Sequence, residues 1–400
     1  MLKIFSVLLS VAMTFVNTLT NTNVGEVPPL PEKPVIHEHN DINAKGTFYE
    51  SQDELIAAMG MGWNSGNCME MPNGEYGWQQ PVLQKELFVK IKELGFDTIR
   101  IPMSWGFHVS DAPEYTIKPE RLKRVRQVVD QALEAGLIVI INSHHDNKFF
   151  TPSPENAENC VNFVGKIWAQ IAEEFKDYDN NLIFESMNEP IIKGSEHEWW
   201  IADNCKECED KIEVIARANQ AFVNSVRNAG GRNASRYLLL KGVCPTPGSA
   251  VKQFGTLPED TAENRLLIGV QEYCPNELCL FDDMSVNQYN DYVQNQLTER
   301  FDSLYETFVK RGIHVVYCEM GITNKNNPDD RHEWAKYHVS ETKKRGIACV
   351  VWDNGNTKPG GESFGIVNKK TGKLFDVSVP VYNGIMEGIG KTDKIIAEEK

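Results

Sequence analysis

The chain has 400 residues, is 41% apolar and 10% aromatic, and carries a formal net charge of −15. That acidity argues against nucleic acid or an anionic membrane as partner, since both call for basic patches. The length would allow two or three domains, but a barrel of strand–helix units commonly takes ~250 residues or more as one domain.

The chain opens on Lys3 and an apolar run from Ile4 to Val16, with Thr18 and Thr20 after it. This is the pattern of a secretory signal peptide, too short for a spanning helix, and residues 1–20 are assigned to it. An extracellular location is therefore expected. Residues 21–45 are rich in Pro, Glu, His and Asn, lack periodicity, and read as a flexible lead-in. Residues 46–395 read as one catalytic domain without linker or repeat.

From there, helix and strand patterns alternate. A helix over Gln52–Met59 feeds a first strand, Met61–Asn64. A helix over Val82–Leu94 feeds the second, which ends in Thr98-Ile99-Arg100-Ile101-Pro102. The next helix, Glu120–Ala135, sets Leu122, Val125, Val129, Ala132 and Leu133 at three- and four-residue spacing, and Gly136 stops it. Strand three, Leu137 to Ser143, is continuously apolar before His144-His145-Asp146, as a parallel strand covered on both faces should be. Helix Ala157–Phe175 leads to strand four, Leu182 to Met187, and then to Asn188-Glu189-Pro190. Helix Lys211–Asn228 leads to strand five (Tyr237–Val243), and a short helical stretch near Val251–Phe254 to strand six (Arg265–Tyr273). Helix Val286–Lys310 leads to strand seven (His314–Glu319), and helix Arg331–Lys344 to strand eight (Ala348–Trp352). A last helix, Val381–Ile389, closes the series. Repeated β-then-α order means a parallel sheet. Eight units, with no glycine-rich nucleotide loop after the first strand, favour an α/β fold of the (β/α)8 TIM-barrel type in a single domain.

In such a barrel the C-terminal strand ends share one mouth, where the active site sits. Glu189 and Glu319 are both placed there, and paired carboxylates are the equipment of a glycosidase. Taken alone, Asn-Glu-Pro is more often a turn, and Glu319 is as readily a structural ion pair with Arg100. Trp352 is equally a sugar platform or a barrel plug. Trp63, Trp78, Trp105, Trp199 and Trp200 are weaker candidates for outer sugar sites. His144-His145-Asp146 is a poor metal site on this reading, because adjacent strand residues point to opposite faces. No metal and no cofactor are expected.

The nine cysteines leave at least one unpaired, and Cys274 with Cys279 is a plausible disulfide. Cys318 and Cys349 read as small buried hydrophobes. Cys205-x-x-Cys208 would need a second, matching pair to be a zinc site, and none is present. Asn233-Ala234-Ser235 is the only glycosylation sequon and is expected on a surface loop.

Together, these segments resemble the family five glycoside hydrolases, most closely the subfamily of endo-β-1,4-glucanases and xyloglucanases. The likeness rests on Gly62-Trp63-Asn64-Ser65-Gly66-Asn67, Asp97 to Pro102, Ile141 to Asp146, Met187 to Pro190, Glu319-Met320-Gly321 and Val351 to Gly355. It implies Glu189 as acid/base and Glu319 as nucleophile of a retaining enzyme. Asn64, Arg100, His144, His145, Asn188, Tyr273 and Trp352 are implied as the substrate-binding centre. One departure stands out: the family usually has His-x-Tyr on strand six, and here the run is Gln271-Glu272-Tyr273. A secreted, monomeric endo-β-1,4-glucanase acting on β-glucan polysaccharide is the resulting expectation. The rivals are a β-glycanase for xyloglucan, mixed-linkage glucan, xylan or mannan, and a glycan-binding protein that has lost catalysis.

Overall fold

A computed structural model describes residues 46–397 apart from residue 73 and residues 76–79. The expected signal peptide, the lead-in and Trp78 fall outside the described residues. Eight parallel strands pair in chain order and close, the first against the last: β1 (Met61–Asn64), β2 (Thr98–Ile101), β3 (Ile138–Ile141), β4 (Leu182–Glu185), β5 (Leu238–Lys241), β6 (Leu266–Glu272), β7 (Val315–Met320) and β8 (Ala348–Val351). The register sets Asn64 beside Arg100, and Gln271 beside Glu319. Irregularities at Val270/Gln271 and between Tyr317 and Met320 fall where β6 and β7 approach the mouth, which is where bulges commonly re-aim side chains.

The helices longer than four residues are, in chain order, α1 (Gln52–Met59), α2 (Lys85–Glu93), α3 (Pro119–Glu134), α4 (Ala157–Glu174), α5 (Lys206–Asn228), α6 (Pro247–Gln253), α7 (Asp291–Thr307), α8 (Pro328–Lys344) and α9 (Val379–Ile389). Capping residues decide several boundaries. Asn290 accepts from the amides of Tyr292 and Val293, so α7 begins five residues later than its apolar pattern suggests. Cys205 takes the N-cap position of α5 and accepts from the amide of Cys208, so that helix begins earlier. α3 buries Val125, Val128, Val129 and Ala132 against the barrel, has Pro119 in its first turn, and is followed by Gly136 at a φ of +81°.

The apolar core has two parts. The larger lies between strands and helices and includes Ile99, Ile141, Phe163, Trp168, Phe184, Phe222 and Trp334. The smaller fills the barrel: Ile138, Ile140, Ile183, Leu239, Leu267, Val316, Cys318 and Val350, with Leu55 and Met59 of α1 closing the bottom. Gln52 locks that plug. Its amide donates to the carbonyls of Asn264 and Leu266 and accepts from the amide of His314. Among the described residues, no helix is long and apolar enough to cross a membrane.

Two expectations fail here. All nine cysteines are free thiols. Cys279 Sγ points at the carbonyl of Cys274, 3.1 Å away, rather than at its sulfur. Asn233 is fully buried rather than on a surface loop. Its Nδ2, the atom that glycosylation would use, donates to Ala172 O, while its oxygen accepts from Arg236. Arg236 in turn donates to four backbone carbonyls, of Phe175, Tyr178, Asp179 and Leu182, so the sequon is part of a helix-to-strand clamp. Cys318 and Cys349 are buried in their strands, as expected.

Candidate active site

Above the apolar plug, the inward positions of the same strands turn polar. Arg100 on β2 has no accessible surface and sits at the centre. Its Nε and Nη2 bond the two oxygens of Glu185 on β4, at 2.6 and 2.8 Å. Nη1 bonds Glu319 at 2.8 Å and Asn64 at 3.0 Å, and Nη2 also bonds Asn188 at 2.8 Å. Four acceptor side chains, from β1, β7 and β4 with its end, thus converge on one guanidinium. Its planar fork suits such a task, and the bidentate arm goes to Glu185.

Glu319 is almost fully buried. Its second oxygen accepts from the Tyr273 hydroxyl at 2.9 Å. A carboxylate that accepts from a guanidinium on one oxygen and a phenol on the other has its orientation fixed. The Tyr273 phenol is pushed well up by burial and by Glu319, so it stays a donor.

Glu189 has the opposite surroundings. It lies just past β4, half-buried, with its backbone carbonyl accepting from Asn147 Nδ2 at 2.8 Å. Burial first, and Glu319 second, push its carboxyl up to about 8. Gln271 Nε2 donates to Glu189 Oε1. Gln271 Oε1 accepts in turn from Lys241 Nζ at 2.8 Å, and that ammonium, fully buried at the end of β5, stands 3.8 Å from Glu185. The glutamine therefore carries a hydrogen-bond chain from a buried cation to the acid without being able to charge itself.

His144 stacks on Trp352, ring centroids 5.9 Å apart and planes 2° from parallel. Burial first, then His145 and Arg100, hold its imidazole well below the usual histidine range, so it is neutral. Asn142 Nδ2 lies 3.2 Å from its Nδ1, an arrangement that leaves the proton on Nε2. Gly66 makes room for Trp352: a Cβ there would stand 2.8 Å from the indole. Asn188 turns its oxygen down to Arg100, which leaves its Nδ2 hydrogens for a ligand.

The structure thus brings Glu189, Glu319, His144, His145, Asn188, Tyr273 and Trp352 to one mouth, and corrects several details. Asn64 and Arg100 have no exposed surface, so they position Glu319 and Asn188 from below rather than touch substrate. His144 and His145 do not diverge. Both lie past the end of β3, outside the pleat, and their rings meet edge to face at 4.6 Å. The metal reading of that motif still finds no support in Asp146, whose carboxylate is taken up by Ser143 Oγ and the amides of Trp105 and Gly106. Trp63 and Trp105 are buried, their indole nitrogens bonded to Asp353 and to Asn142 O, whereas Trp199 and Trp200 are exposed.

Three members of the site escaped the sequence reading: Glu185, Lys241 and Glu362. The first two carry the signal that picked out Glu319, a charge ending an apolar run, in Leu182-Ile183-Phe184-Glu185 and Leu238-Leu239-Leu240-Lys241. Glu362 is on the loop after β8, close enough to Glu189 and Tyr273 to push both upward.

One carboxyl group raised by burial, and a second oriented by a guanidinium and a phenol, at a barrel mouth beside aromatic faces, are the equipment of a glycoside hydrolase. The cellulase model (glycosyl hydrolase family 5) matches residues 59–358, and the chain belongs to that family. It is 35% identical over 354 residues to the cellulase/esterase CelE of Acetivibrio thermocellus, covering 88% of this chain and 42% of that protein. The chain therefore spans less than half the length of that relative. It is 32% identical over 369 residues to endoglucanase B of Neocallimastix patriciarum, covering 88% and 75% of the two chains. Among solved structures, a mutant family 5 lichenase from Caldicellulosiruptor sp. F32 in complex with cellotetraose superposes with a TM-score of 0.80. That match is at 35% identity, over 85% of this chain and 96% of that one.

Proposed function

We propose that this chain is a secreted endo-β-1,4-glucanase that hydrolyses internal linkages of cellulose or related β-glucans with retention of configuration. The observation that carries the reading is the contrast between its two mouth carboxyls. Glu319, oriented by Arg100 and Tyr273, attacks the anomeric carbon as the C–O bond to the leaving sugar breaks, giving a covalent glycosyl-enzyme. Glu189, protonated near neutral pH, gives its proton to the leaving oxygen. It then takes a proton from the water that attacks the glycosyl-enzyme and releases Glu319. His144 and Asn188 offer N–H donors to sugar hydroxyls, and the Trp352 indole offers an apolar face to a ring. The chain of donors through Gln271 allows Glu189 to be held without a histidine, which favours an active enzyme over a binding protein.

The lichenase bound to cellotetraose supports a glucan of β-1,4 links and makes mixed-linkage β-glucan the second substrate to weigh. Acting as a monomer, without metal in the catalytic step, completes the proposal. A reducing-sugar assay on carboxymethylcellulose, lichenan, xyloglucan, xylan and mannan tests it. The two glucans should be cleaved fastest, with a fall in viscosity that outpaces sugar release. Cleavage of xylan or mannan alone, or binding without cleavage, would contradict it. N-terminal sequencing of protein recovered from culture medium tests secretion, which requires a start near residue 21.

A further inference from the structure

A second cluster of chemically able side chains lies where the segment after Glu189 runs into α5. His197, Cys205 and Cys208 each present one ligand atom, and these atoms lie within 4.8 Å of one another. Among the described residues it is the one group of three such side chains so placed. Sequence spacing gave no warning, because the partner of the Cys-x-x-Cys pair is a histidine upstream rather than a second pair of cysteines.

We propose that His197, Cys205 and Cys208 bind a soft divalent cation of the zinc class as a structural clip. Four observations support it. First, the donors are those that such ions prefer, two thiolates and an imidazole. In a tetrahedral centre with bonds of about 2.0–2.3 Å, neighbouring ligand atoms stand about 3.5–3.8 Å apart, a spacing that small rotations of the two thiols would reach. Second, His197 Nδ1 is buried without a hydrogen-bond partner, an unsatisfied state that needs a reason in a folded protein. Third, the amide of Cys208 donates to Cys205 Sγ at 3.2 Å, and both cysteines sit in the opening turn of α5. Fourth, a further thiol is at hand. Cys244, on the loop after β5, reaches the carbonyl of Glu198 at 2.9 Å and that of His197 at 3.6 Å.

Binding forms two metal–sulfur bonds and one metal–nitrogen bond and releases the two thiol protons to solvent. The consequence is mechanical. The segment from Glu189 to Cys205 leaves the mouth, carries the exposed Trp199 and Trp200, and returns to α5. A clip at His197 and Cys205 ties the middle of that segment to its end. The ion belongs to loop geometry rather than to bond cleavage, and the inference is independent of the substrate assigned to the mouth.

The test uses the full chain, purified with and without added zinc and with no reductant. The expected result is about one equivalent of zinc retained through gel filtration, with about two protons released per ion on loading the metal-free protein. Cobalt in its place should give thiolate-to-metal charge-transfer absorption. Cys205→Ser and His197→Ala should each lose the metal. In the wild type, zinc should raise Tm and EDTA should lower it, with little change in the initial rate of β-glucan hydrolysis well below Tm. His197 is only partly buried, so His197→Ala guards against a variant that simply fails to fold. Less than a tenth of an equivalent bound, binding that survives both substitutions, or a Cys205–Cys208 disulfide in the purified protein would overturn the proposal.

Discussion

The two ends of the barrel interior are built on the same strands and do opposite work. Two residues apart on β4 and on β5, an inward apolar side chain gives way to a charged one: Ile183 to Glu185 and Leu239 to Lys241. The lower layer is built on aliphatic side chains and sealed by α1, and its few polar groups, Gln52 and Thr98, bond backbone groups. The upper layer buries Arg100, Glu185 and Lys241 with no accessible surface at all. Such charges are costly to desolvate and are held only because each is paired and hydrogen-bonded. The lesson is that stability is concentrated in the lower layer, whereas the upper layer spends some of it to fix where Glu319 and Glu189 point.

Substitutions at the two levels should separate these roles. The largest effect is expected from Glu319→Gln, which should abolish turnover on β-glucan while circular dichroism and Tm remain close to wild type. Retained turnover would remove Glu319 as nucleophile. Next comes Glu189→Gln, with a loss of about 10²–10⁴ in kcat on polymer, the usual worth of a general acid. On an aryl glycoside whose leaving group needs no proton the loss should be smaller, and equal losses on both substrates would contradict the assignment.

The same variant carries a stability signature with a definite sign. A carboxyl held up at about 8 in the folded protein binds its proton more tightly than in the unfolded chain. Its contribution to stability is therefore complete below the ordinary glutamate pKa and is lost as pH rises toward 8. Glu189→Gln should flatten that decline, as read from denaturant midpoints across pH.

Arg100→Met and Leu239→Ala contrast the layers directly. Leu239→Ala should cost about 2–5 kcal/mol by leaving a cavity, with kcat on soluble glucan nearly unchanged in the protein that stays folded. Arg100→Met strands the Glu185 and Glu319 carboxylates, and about 3–5 kcal/mol is expected for breaking such a buried pair. Unlike Leu239→Ala, it should also lower kcat, because Glu319 loses its orienting partner. A Leu239→Ala variant with the greater loss of kcat would reverse the division drawn between the layers. The smallest effect is expected from Gln271→His, which puts a titratable ring between Lys241 and Glu189. It should move the alkaline limb of kcat/KM against pH more than it changes KM, and superimposable profiles would reject an electrostatic role for this position.

The sequence was most legible where one periodicity ruled. The all-apolar run of β3 and the amphipathic face of α3 marked the barrel units, and the polar strand ends marked which residues reach the mouth. It was least legible where a side chain's role depends on depth. Asn64 and Arg100 share motifs with the mouth residues, yet they lie a layer below the cleft. Glu185 and Lys241 sit on strands whose chemistry seemed to begin only after the last apolar residue. The Asn233 sequon was legible as a pattern but not as the partner of Arg236, because that contact depends on how a helix end folds back against β4 and β5. Capping by Asn290 and Cys205 moved helix starts by five residues in opposite directions, since hydrophobic spacing carries no information on where orphan amides find acceptors.

The central claim is that Glu319 forms the covalent bond and Glu189 moves the proton. The most direct measurement is mass spectrometry of peptides after brief treatment with a 2-deoxy-2-fluoro-β-cellobioside bearing a good leaving group, which slows release of the glycosyl-enzyme. A fluorocellobiosyl adduct on the peptide containing Glu319, absent in Glu319→Gln and still formed in Glu189→Gln, is the predicted result. An adduct on Glu189, or turnover of the reagent with inverted configuration and no adduct, would contradict it.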